Sequence, residues 1–190
     1  MSPRPSSEQL ICRLAWAADE RLDNASEPIQ SACDIVEANP NAPAVTIRRI
    51  QWQGGAPGQS DPIGGSVWSE FGGPSYSTLG SGVDGASSIA VVVVDGQAGI
   101  PLACLQLLHM AAETGMVQVL MVRNGLSATS ISQLGRIGKN EAHGIRMQSW
   151  QDRNSFVDML VQELRIHCNA LINRVRRNAQ LSRPKGLPRL

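Results

Sequence analysis

The stretch that decides the fold runs from Ile89 to Ser127, IAVVVVDGQAGIPLACLQLLHMAAETGMVQVLMVRNGLS. It opens on Ile89–Val94, a continuous apolar run of mostly β-branched residues, the pattern of a strand buried on both faces. Residues 100–114 then read as a helix, with Gln106, His109 and Glu113 on one side. Val117–Val122 is a second buried strand. Two apolar strands joined by a helix predict a parallel pair with a right-handed crossover.

The pattern continues on either side. Downstream, 128–136 reads as a short helix and Ile145–Met147 as a short strand. Asn154–Asn178 reads as a long amphipathic helix with Phe156, Leu160, Leu164, Leu171 and Val175 on its inner side. Its basic end suits the helix dipole. Upstream, Ala44–Trp52 reads as a strand and Pro28–Ala38 as a weaker helix, broken by the prolines at 40 and 43. Leu10, Leu14, Ala18 and Leu22 recur at near-helical spacing, which predicts a helix over Glu8–Leu22 with Ser7 as its N-cap. Gly54–Gly85 holds ten of the chain's 18 glycines and reads as a long loop. The expectation is an α/β domain of three layers over residues 1–180, a mostly parallel sheet flanked by helices. A Gly/Ser-rich loop occupies 54–88 and a basic tail 181–190.

Composition narrows the function. With 190 residues, 42% hydrophobic and 17% charged, the chain suits one globular domain. Its longest apolar run is far short of a bilayer span, so no membrane partner is expected. No secretory signal pattern opens the sequence, and the expected compartment is the cytoplasm. Cys12, Cys33, Cys104 and Cys168 are widely spaced and read as buried free thiols. His109, His143 and His167 show no metal-ligand spacing. No G-x-S-x-G elbow or dinucleotide fingerprint is present. Of 17 basic residues only Lys139 and Lys185 are lysines. Neither sits in a G-x-x-x-x-G-K-[ST] context, which excludes standard phosphate-loop chemistry. Residues 164–190 carry seven basic residues and no acid against a chain total of +1, so the end of the chain is a candidate for acidic partners.

In parallel sheets ligands sit at the carboxyl ends of strands, here 95–99, 124–127 and 148–150. At these places the chain resembles the G domain of elongation-factor-type translation GTPases. Asp95, Gly99, Ala111, Gly115 and Asn124 fall on the family's V-D-x-x-x-G, H-L-x-x-A, glycine and N-K-x-D positions without a gap, while Pro101 is one place off. Leu10-Ile-Cys-Arg-Leu14 is similar to the segment after the family's phosphate loop, Ala44–Ile47 to its first switch and Asp61-Pro-Ile-Gly64 to its second. The resemblance implies a P-loop GTPase-like fold. It points to Asn124, Ser149 and Ser7 around a nucleotide, and to Thr46 and Asp61 as oxygen ligands for magnesium.

The same comparison shows what is lost. The phosphate loop would fall at Ser6–Gln9, without its glycine or lysine and with Glu8 repelling phosphate. No strand precedes it. Asn124 survives from N-K-x-D, but Ser127 stands where a carboxylate would read guanine. Gly65 replaces the histidine that orients the attacking water. The resemblance therefore implies a degenerate GTPase-like domain, with no resident cofactor and with GTP and magnesium held weakly if at all. It would act as a binding or structural module for a protein partner. The alternatives are a weak guanine-nucleotide-binding translation GTPase, or RNA or ribosome binding through Arg174, Arg176, Arg177, Arg183, Lys185 and Arg189.

Overall fold

A computed structural model of the chain describes residues 10–39, 45–52, 88–137 and 144–181. The strands are β1 (Leu10–Ala18), β2 (Val45–Gln51), β3 (Ser88–Asp95), β4 (Val117–Arg123) and β5 (Arg146–Trp150). The helices are α1 (Ser26–Glu37), α2 (Leu102–Thr114), α3 (Ala128–Leu134) and α4 (Arg153–Leu181). All strand pairings are parallel, in the order β2-β1-β3-β4-β5. The result is the three-layer α/β architecture that the apolar strands imply.

Side chains of a strand alternate between the two faces, and here both faces are covered. Cys12, Leu14 and Trp16 of β1, with Val91, Val93, Val119 and Met121, pack beneath α1 and α4. Ala15, Ala17, Val92, Val94, Leu120 and Val122 pack beneath α2. Every residue of β3 from Ser88 to Val94 is buried, so this strand has no polar face. Strand order reverses between β1 and β3. With right-handed crossovers, that reversal puts α1 and α2 on opposite faces. The long α4 returns from the β5 edge and lies against α1.

Three expectations change. Residues 10–18 form the central strand β1, not part of a helix over Glu8–Leu22. Leu10, Leu14 and Ala18 are four apart, a spacing that serves one face of a strand as well as one face of a helix. Cys12 and Trp16, buried on that same face between them, follow the period of two that only a strand satisfies. A strand therefore does stand ahead of the first strand-to-helix loop, and Leu10–Leu14 is not the start of a helix behind a phosphate loop. Val175 is 39% exposed instead of facing inward, because α4 has by then run past its buried contacts, which end at Leu171 and Ile172. Ser88 belongs to β3, not to the preceding loop. The rest of the 54–88 loop, along with Ser7, Asp61, Arg183, Lys185 and Arg189, lies outside the described residues.

Candidate functional site

The carboxyl ends of β1, β3, β4 and β5 share one edge of the sheet, and there the described residues line two clefts on opposite faces. The first loop, 19–25, links β1 to α1. Asp19 extends the ladder by donating its N–H to the Val93 carbonyl at 2.8 Å. Its side chain is only 2% exposed and is gripped by a two-pronged fork. Arg21 donates Nε to Oδ1 at 2.7 Å and Nη2 to Oδ2 at 2.6 Å. The Arg21 N–H adds a bond to Oδ1 at 3.0 Å. Burial alone would push the Asp19 carboxyl up, but the Arg21 hydrogen bonds and charge hold it below its ordinary value.

The same guanidinium reaches across the β1–β3 reversal. It donates to the carbonyls of Ala98 and Gly99, each at 3.1 Å. Around it lies an open crevice of about 580 Å³ lined by Asp19, Arg21, Ala98–Ala103, Thr129 and Gln133. This is where doubly wound sheets receive ligands, and here Arg21 is committed to the protein itself.

A phosphate loop joins a strand to a helix through G-x-x-x-x-G-K-[ST]. Between the end of β1 and the start of α1, the eight residues 19–26 read D-E-R-L-D-N-A-S. Asp19 and Asn24 stand at the glycine positions, Ala25 at the lysine and Ser26 at the hydroxyl. Asn24 has φ +48, a left-handed conformation that asparagine tolerates. The strand-to-helix connection thus falls at 19–26, not at Ser6–Gln9. Sequence reading missed it because residues 10–18 were assigned to a helix.

The loops after β3 and β4 are tied to each other. Asn124 donates Nδ2 to Asp95 Oδ2 at 3.2 Å, and its carbonyl accepts from Gln97 Nε2 at 2.9 Å. Asn124 and Gly125 both have positive φ, 62 and 75, so the chain turns tightly here. Gly96 lies so close beneath that a Cβ on it would overlap the Gly125 carbonyl oxygen. Ser127, at the position of a guanine-reading carboxylate in the resemblance, caps α3. Its Oγ accepts from the Ser130 N–H at 3.2 Å, and its own N–H bonds the Gly96 carbonyl at 2.9 Å. Ser130, fully buried, donates its hydroxyl to the same carbonyl at 2.7 Å.

The second cleft, about 250 Å³, opens on the α1–α4 face. Its apolar floor is Leu22, Val93 and Phe156. Trp150 meets Phe156 edge-on with ring centroids 5.3 Å apart, and the Arg123 guanidinium lies 5.6 Å from the Trp150 ring centre. Asp23, Glu27, Arg123 and Arg153 supply the charges. Arg153 is taken up by Glu27, through Nε to Oε2 at 2.8 Å and through Nη2 to Oε1. Sequence reading placed Leu22 and Phe156 on helix faces and Trp150 at a strand's carboxyl end, but it singled out none of the four charged residues.

The remaining sequence-derived residues are dispersed. Thr46 pairs with Ile11 near the far end of the sheet. Ile11 is seven residues before Ala18, about 23 Å along the strand, so Thr46 is not brought to Asn124. Ser149 is exposed on the edge strand β5, paired with Val122. Arg174, Arg176 and Arg177 are all exposed on the last turns of α4. His109 is exposed beside Glu113 and His167 is buried in the α4 layer. Among the described residues no cluster of three metal-ligating side chains occurs, and no helix is long and apolar enough to cross a membrane. Cys12, Cys33, Cys104 and Cys168 are buried free thiols. Burial pushes Cys33 and Cys104 up to about 12. No protein-family model, curated protein or solved structure matches the chain.

Proposed function

We propose that the chain is a degenerate GTPase-like domain that does not hydrolyse GTP and works as a binding module for a protein partner. The reading is carried by the strand-to-helix loop 19–26. Its glycine and lysine positions hold Asp19, Asn24 and Ala25, and its arginine is locked onto Asp19. Phosphoryl transfer depends on positioning and on neutralising phosphate charge. Three acids and one occupied arginine do the reverse. Asn124 and Ser127, which the resemblance aligns with a base-reading loop, serve as a turn residue and a helix cap.

The test is a titration of the purified chain with a fluorescent GTP analogue and magnesium, followed by phosphate release. No saturable binding and no release are expected. Saturable, magnesium-dependent binding with turnover overturns this reading in favour of a translation-type GTPase.

A second reading, RNA binding through the end of α4, is favoured by one observation: Arg174, Arg176 and Arg177 are all exposed there. It requires an affinity for RNA that falls steeply with salt and is lost on truncation near Ala179. An RNA affinity indifferent to salt would remove it.

A further inference from the structure

The cleft on the α1–α4 face is not the Arg21 crevice, and its charges are arranged differently. Among the described residues four ionised side chains line it, Asp23, Glu27, Arg123 and Arg153, and their formal charges cancel. Arg153 and Glu27 satisfy each other. Asp23 has no hydrogen-bond or ion-pair partner among the described residues. Among the described residues Arg123 makes only its ladder pairing and its contact with the Trp150 ring. One carboxylate and one guanidinium are therefore left over, beside an apolar floor of Leu22, Val93 and Phe156.

A guanidinium stacked on a ring keeps its edge N–H donors available to a carboxylate. A carboxylate such as Asp23 accepts from an ammonium. A polyphosphate would bring several negative charges to a cleft whose described charges cancel, so it is disfavoured. A volume of about 250 Å³ falls below the roughly 300–1,000 Å³ of drug-sized pockets. The ligand is therefore small.

We propose that this cleft binds a small zwitterion, an α-amino acid with an apolar side chain. Its carboxylate engages Arg123, its ammonium engages Asp23, and its side chain lies on the Leu22–Val93–Phe156 floor beside Trp150. This goes beyond the binding-module reading and does not depend on it, since the cleft requires no G-domain ancestry.

The full chain, isotopically labelled, is titrated with L-leucine, L-methionine and L-phenylalanine while amide shifts are followed. Saturable shifts at Asp23, Arg123 and Trp150 are expected for at least one of the three. The amide and the N-acetyl derivative of that amino acid each lack one charge, and each is expected to bind at least tenfold more weakly. This arm needs no variant. Arg123→Gln and Asp23→Asn, both at exposed positions, are each expected to weaken binding at least tenfold with an unchanged melting temperature. The proposal is overturned if none of the three amino acids shifts these amides, or if the singly charged derivatives bind as well as the zwitterion. Unchanged affinity in either variant overturns it too. GTP binding, measured separately, reports on the function proposed above and not on this cleft.

Discussion

The two clefts at the carboxyl edge differ in what their charges do. In the crevice beside α2, Arg21 gives its donors to Asp19 and to the Ala98 and Gly99 carbonyls. In the cleft beside α1 and α4, Arg123 touches a ring and Asp23 touches no charged partner among the described residues. The first is a fastening between β1 and β3. The second retains binding capacity. Topology alone favours the first as a ligand site. The side chains reverse that order, because a buried carboxylate must be satisfied by something and Arg21 is what satisfies it.

Breaking the fastened side is expected to be costly. The largest effect belongs to Gly96→Ala, where the new methyl collides with the Gly125 carbonyl backbone and also with the Val122 side chain. The loops after β3 and β4 must separate, which we expect to cost about 3 kcal/mol in denaturant unfolding. A loss under about 1 kcal/mol would mean that the seam is looser than its hydrogen bonds imply.

Next is Asp19→Asn, expected to cost about 2 kcal/mol at pH 7, since hydrogen bonds to a charged group are lost from a buried site. The carboxyl is held below its ordinary value of 3.8 in the folded chain. Its contribution is therefore present above that pH and is lost as pH falls through the folded value. Unfolding curves of the parent and Asp19→Asn should diverge at pH 7 and converge well below pH 4. A pH-independent gap would assign the effect to shape instead of charge.

Ser127→Ala tests the same seam from the α3 side. Removing the cap that accepts from the Ser130 N–H is expected to cost about 1 kcal/mol. If the cost is near zero, the Ser127 N–H and Ser130 hydroxyl bonds to the Gly96 carbonyl carry the connection without the cap.

The sequence displayed most of this architecture and little of this chemistry. β3 and β4 were legible because strands buried on both faces are written as uninterrupted apolar runs. β1 was not, since its spacing of four fits both periods and the arginine at 13 interrupts its run. The misassigned strand hid the 19–26 loop, which only has meaning once a strand ends at Ala18. Asn124 was visible as a turn-forming residue, while its bond to Asp95 joins positions 29 apart and has no local signature. The zwitterion cleft draws on the 19–25 loop, α1, β3, β4, β5 and α4, and no sequence pattern spans them.

Asn124 offers the finest distinction, because two explanations of its presence make different demands. It has φ +62, and its side chain bonds Asp95 at 3.2 Å in an exposed setting. If the left-handed backbone is what matters, Asn124→Gly should be neutral within about 0.5 kcal/mol, since glycine adopts that conformation freely. Asn124→Ala should then cost about 1 kcal/mol, the penalty of a Cβ in left-handed backbone. If the Asp95 bond is what matters, both variants lose it equally and should fall together. We expect them to separate, with alanine the worse. An exposed hydrogen bond exchanges readily with water, whereas a strained dihedral has no such substitute. That ordering would make Asn124 a residue of the turn and not a survivor of base recognition.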